Sequence, residues 1–146
     1  MTYLFAFFIA AYAAISDIKS RRISNSFIAK SYIVGILIQT FFIVKKGSVS
    51  DMGNVLAALT IPYVLLLVIY ILGGIGAADI KLLSVIGMLI GIRLIVKLMI
   101  VSFLVGGVIG IFSWLLTKNK RIPFAVAIFI SLTGLLIMNY TGGKFI

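Results

Sequence analysis

The chain has 146 residues, 63% of them hydrophobic and 11% charged, with a formal charge of +10 and a mean hydropathy of +1.30. Soluble domains carry about 45–50% apolar and about 25% charged residues, so an ordinary soluble fold is excluded and the bilayer must act as solvent. There is no cysteine and no histidine. That excludes disulfides, thiol nucleophiles, serine–histidine triads and Cys/His metal sites.

Six apolar spans are expected, in one transmembrane domain over residues 1–146, all-α in class. The first runs from Thr2 to Ser16. It lacks a basic segment before it and a cleavage site after it, and so reads as a retained span rather than a signal peptide. A polar, basic loop follows, Asp17 to Asn25. The second span covers Ser26 to Val44, and Lys45 to Asp51 is the next loop, with turn residues at Gly47 and Ser48. The third covers Met52 to Leu72 and contains Pro62, tolerable in a membrane helix whose neighbours re-satisfy the freed carbonyl.

The glycine-rich stretch Gly73-Gly74-Ile75-Gly76 then leads into Ala77-Ala78-Asp79-Ile80-Lys81. The fourth span begins near Asp79, or as early as Gly74, and reaches about Ile92, short against the roughly 20 residues needed to cross. Lys97 to Leu116 forms the fifth. A basic loop from Thr117 to Arg121 precedes the sixth, Ile122 to Tyr140. Gly87 with Gly91, and Gly106 with Gly110, sit four residues apart and suit close helix packing.

The positive charge lies in short clusters between apolar runs, which fits membrane topology and not nucleic-acid binding. Lys19, Arg21, Arg22, Lys30, Lys81, Lys118, Lys120 and Arg121 fall on one side. Lys45, Lys46, Arg93, Lys97 and Lys144 fall on the other. Eight against five puts the first group in the cytoplasm. Asp17 and Asp79 share that side in either orientation, and Asp51 takes the opposite one.

These three are the only acids in the chain. That is too few to expect a dedicated cation cage, and no metal or other cofactor is expected. A carboxylate at a membrane helix is costly and calls for a function. If the first and fourth spans pack together, Asp17 and Asp79 lie at one face and at similar depth. Two close carboxyls in a poor dielectric share one proton. Such a pair can polarise a peptide carbonyl and deprotonate water, with no histidine or cysteine. The glycines permit close approach of an extended substrate strand, and Lys81 is placed to steady the local negative charge.

Plainer roles remain open. Asp79 can be a helix N-cap, Asp17 an interfacial charge screened by Lys19 or Arg21, and the glycine run a turn. A small proton- or cation-coupled transporter or channel subunit would also need intramembrane acids. A catalytically inactive scaffold would need only the packing glycines.

The segment Gly74 to Leu83 resembles the GxGD region of the type IV prepilin peptidases. Asp17 to Asn25 is similar to that family's aspartate followed by Ile-Pro-Asn, and Ile122-Pro123-Phe124-Ala125 resembles its Ile-Pro-Phe segment. Ala78 stands in place of the second motif glycine, a change that a positive φ would penalise, and Ser24 in place of the proline. The resemblance implies an aspartic endopeptidase with Asp17 and Asp79 as its catalytic pair. Gly74, Gly76, Ala78, Lys81, Asn25 and Pro123 would be motif residues around that pair. It also implies pilin-like precursors as partners, with a basic leader and an apolar helix, cut at the cytoplasmic face of the cell membrane. Larger members carry a paired-cysteine domain and methylate the new N-terminus with S-adenosylmethionine. Without cysteine, this chain resembles the short form of tight-adherence pilus or archaeal flagellin systems, and methyl transfer is not expected.

Overall fold

A computed structural model describes residues 2–20, 23–46, 49–117 and 124–141, and the described residues are helical apart from short turns. The helices are α1 (Thr2–Ser20), α2 (Asn25–Lys46), α3 (Val49–Ile71), α4 (Ala77–Ile90), α5 (Ile92–Thr117) and α6 (Phe124–Tyr140). This is the all-α architecture expected. Four of them, α1, α2, α3 and α5, are long and apolar enough to cross a membrane.

Helix α4 is the axis of the bundle. Its 14 residues span about 21 Å at 1.5 Å per residue, less than a hydrocarbon core of about 30 Å. Every side chain from Leu82 to Ile90 is buried. Helices α1, α2, α3, α5 and α6 all pack against it. A helix apolar on all sides belongs in the middle. The alanines Ala6, Ala10, Ala13 and Ala14 form the buried face of α1, and such small residues let it approach α4 and α6 closely.

The most extensive contact, α3 with α4, rests on a pairing of proline and glycine. Pro62 is buried within α3 and has no N–H, so the Ala58 carbonyl one turn earlier loses its helical donor. Gly87 of α4 stands against that carbonyl. A Cβ at Gly87 would lie 2.4 Å from the Ala58 oxygen, so only glycine lets the two backbones meet.

Several boundaries differ from those expected, among them the start of α3, which at Val49 takes Asp51 out of the loop before it. Helix α1 continues through Asp17 to Ser20, so Asp17 is inside the helix and not in the loop after it. Residues Arg93 to Val96 are the first turns of α5, not a loop. Gly91 alone separates α4 from α5, at φ 86° and ψ 168°, a region essentially reserved for glycine. The Gly87–Gly91 pair is therefore one packing residue and one helix break. Gly106 serves packing as expected: a Cβ there would meet the Phe124 ring of α6 at 2.9 Å. The loops holding Arg21, Arg22, Gly47, Ser48 and residues 118–123 lie outside the described residues, as does Lys144.

Candidate active site

The C-terminal end of α1, the N-terminal end of α4 and the N-terminal end of α6 meet at one end of the bundle. Both α1 and α4, and α1 and α6, pack together. Asp17 is one turn from the end of α1 and partly buried. Its Oδ2 accepts a hydrogen bond from the backbone N–H of Ala125, at 3.2 Å. Ala125 is the second residue of α6, and N–H groups of a first helical turn have no partner within the helix. The positive end of α6 is thus aimed at a carboxylate.

Asp79 is the third residue of α4 and also partly buried. The N-cap is Gly76, not Asp79. The Asp79 carboxylate instead folds back over that N-cap, where the Gly76 N–H is its backbone partner, an arrangement like the acidic half of a capping box. The Gly76 backbone, at φ −81° and ψ 145°, suits any residue. What glycine provides is room, because a Cβ there would stand 3.1 Å from Asp79 Oδ2. Asp17 and Asp79 lie close enough for their charges to act on each other.

The preceding glycines have a local explanation. Gly73, at φ 75°, donates its N–H to the Tyr70 carbonyl, and Gly74 donates to Ile69, both at 2.9 Å. These two bonds make a Schellman cap on α3. The plain turn reading therefore accounts for Gly73 and Gly74, and the extended stretch narrows to the approach to Gly76. Ala78 lies in the first turn of α4 with helical backbone, where alanine is favoured over glycine. The structure thus places no positive φ at the position where this chain departs from the GxGD pattern.

Of the other motif residues, Asn25 and Lys81 are described. Asn25 is the first residue of α2 and exposed. The Ser24 carbonyl before it accepts from Ile28 N–H at 3.1 Å, a backbone bond that proline at this position would also allow. Pro123 lies outside the described residues. Lys81 contributes its backbone: its carbonyl accepts the Tyr32 hydroxyl at 3.2 Å. Among the described residues no ion pair joins Lys81 to Asp79. Asp51 falls in the first turn of α3, at the opposite end.

Sequence reasoning missed the link that fastens this end of α4 to its neighbours. Tyr32 of α2 and Tyr63 of α3 bring their hydroxyls within 2.9 Å. Since Tyr32 donates to the Lys81 carbonyl, its oxygen accepts the Tyr63 proton. One directed chain, Tyr63 to Tyr32 to Lys81, ties three helices together just beyond Asp79. A tyrosine inside an apolar run needs a partner for its hydroxyl, but a linear sequence does not say which.

These features define a polytopic helical membrane protein with a carboxyl pair set between two helix ends. Comparison with known proteins names the group. The model of the type IV leader peptidase family matches residues 4–111, a stretch that holds both aspartates and the glycine segment, and the chain belongs to that family. A prepilin leader peptidase/N-methyltransferase of Bacillus subtilis (strain 168) is 37% identical over 59 residues, covering 38% of this chain and 24% of that protein. The matched stretch is thus about a quarter of that relative. No solved structure matches the chain.

Proposed function

We propose that this protein is an aspartic endopeptidase that removes the leader of pilin-like precursors, with Asp17 and Asp79 as its catalytic pair. The observation that carries the reading is that the packing of α1 on α4 sets these two carboxyls, 62 positions apart in sequence, at one end of the bundle, near enough for the charge of Asp17 to act on Asp79. Family membership supports a leader peptidase. The absence of histidine and cysteine from the sequence leaves the carboxyls as the side chains best suited to general acid–base work on a peptide.

The pair holds one proton between two like groups. The protonated carboxyl donates to the oxygen of the scissile carbonyl, and the ionised one takes a proton from water as its oxygen bonds to the carbonyl carbon. The tetrahedral intermediate then collapses: the C–N bond breaks, the protonated carboxyl gives its proton to the leaving nitrogen, and one hydroxyl of the intermediate returns a proton to the ionised carboxyl, which restores the singly protonated pair. No covalent enzyme intermediate forms. The excess of basic residues on the Asp17 and Asp79 side supports a cytoplasmic location for this chemistry.

The test is co-expression with a pilin-like precursor and measurement of leader removal. Wild-type protein is expected to process it, and Asp17→Asn and Asp79→Asn each to stop processing while still inserting into the membrane. Processing that survives in both variants rules the assignment out.

A further inference from the structure

Around α4 the helices follow the order α1, α6, α5, α3, α2, each packed against the next. Among the described residues the ring stays open at one place: α2 and α1 do not pack along their lengths. The aromatic contact across this seam is Tyr12 of α1 against Phe27 of α2, with ring centroids 4.3 Å apart and planes tilted by 31°. Helix α4 stands behind the seam, packed against both of its walls, and its first turn carries Asp79.

From this geometry we infer that the α1–α2 seam is the lateral entrance for the apolar helix of the precursor, with Tyr12 and Phe27 as its gate. The inference rests on the proposed leader peptidase activity. Lipid covers every outer face of such a bundle. What distinguishes this seam is that its two walls both pack against α4, whose first turn carries Asp79, while among the described residues the walls meet each other through the Tyr12–Phe27 ring pair. The occupant has to present a peptide bond at the depth of Asp17 and Asp79 and continue as an apolar helix into the bilayer. Helix α1 offers it an apolar outer stripe of Leu4, Phe8, Tyr12 and Ile15, all exposed. These recur at helical spacing along the length of the span. A ring pair suits a gate, because such a contact is worth only about 0.5–1.5 kcal/mol beyond area burial and gives way to an entering helix of similar character.

The chain has no cysteine, so a pair can be introduced cleanly. Tyr12→Cys with Phe27→Cys, joined by a short bifunctional methanethiosulfonate reagent, closes the seam. The reagent supplies the reach that a direct disulfide, with its strict geometry, lacks. Processing of a pilin-like precursor in proteoliposomes is expected to fall sharply on linking, because a closed entrance keeps substrate from the site, and to return with dithiothreitol. The same link between Phe7→Cys and Phe129→Cys, whose rings lie 5.2 Å apart across the closed α1–α6 contact, is expected to leave processing unchanged. Linked enzyme that cuts as fast as unlinked enzyme overturns the gate.

A second measurement does not need an active gate variant. A photo-crosslinking residue at Phe27 in the Asp79→Asn background is expected to capture the apolar helix of the precursor. The same probe at Leu104, on the outer face of α5, is not. Equal capture at both positions overturns the entrance. Processing by the wild type judges the enzyme assignment, and the ratio of linked to unlinked rates judges the gate, so the two fail separately.

Discussion

The Ala125 N–H donates to the carboxylate of Asp17 over 3.2 Å, across a sequence separation of 108 residues. This bond fastens α6 to α1 at the candidate site and separates two roles of Asp17. Asparagine keeps an oxygen to accept from Ala125 but cannot ionise. Alanine removes the acceptor and leaves a buried N–H unpaired, at about 1–3 kcal/mol. We predict that Asp17→Asn unfolds in detergent at nearly the wild-type temperature and that Asp17→Ala unfolds several degrees lower, with neither processing precursor. Equal melting temperatures would show that the bond has no structural weight.

Two glycines on α4 and its exit fail for different reasons when changed. Gly87→Ala drives a methyl into the Ala58 carbonyl, a backbone atom that cannot swing away. Overpacking of this kind costs about 1–3 kcal/mol, and the expected sign is a loss of thermal stability. Gly107→Ala on α5 meets nothing within 4 Å and is expected to cost nothing. Melting curves of the two variants in one detergent compare them directly.

Gly91 has open space around it but a backbone that alanine resists. Gly91→Ala is expected to cost about 1–3 kcal/mol through backbone strain alone. Gly91→Ala is thus expected to lose stability although its methyl meets nothing within 4 Å, and a melting curve in the detergent used for Gly87→Ala measures the loss.

The tyrosine chain predicts an asymmetry. Tyr32→Phe removes both hydroxyl bonds, to Tyr63 and to the Lys81 carbonyl, whereas Tyr63→Phe removes one. At about 0.5–1.5 kcal/mol per net bond, Tyr32→Phe should destabilise more. The double variant should fall short of the sum, because the shared bond is lost only once. A double-mutant cycle on unfolding free energies measures this.

A shared proton predicts the form of the pH profile. The rate of leader removal is expected to fall on the acid side, where both carboxyls are protonated, and on the basic side, where both are ionised, giving a bell with two apparent pKa values that belong to the pair. A profile that rises to a plateau with no second limb would point to a single ionising group.

How much of this was legible in the chain varies by residue. The helices were legible because the bilayer leaves a backbone few other ways to satisfy its polar groups, and the two aspartates because acids are so rare here. The α4–α5 break was not: Arg93 and Lys97 mark a membrane edge by charge, but a helix can begin before such residues, and Gly91 resembles the helical glycines around it. Gly73 and Gly74 looked like a place for a substrate, whereas they cap α3. That distinction depends on hydrogen bonds to Ile69 and Tyr70, which spacing alone does not reveal.

By itself the sequence determined the solvent, the helical class, that Asp17 and Asp79 fall on one side of the membrane in either orientation, and the poverty of other catalytic side chains. Each of these follows from local composition, which acts through hydration of single residues. Only the tertiary structure decided that α4 is the axis, that Ala125 binds Asp17, that the Ala58 carbonyl freed by the proline of α3 meets Gly87 of α4, and that the ring of helices stays open at Tyr12 and Phe27. These depend on which surfaces fit, and among helices apolar on nearly every face hydrophobicity has little power to choose. Small residues, freed backbone groups and a few buried hydroxyls choose instead, and they act only once their partners are near.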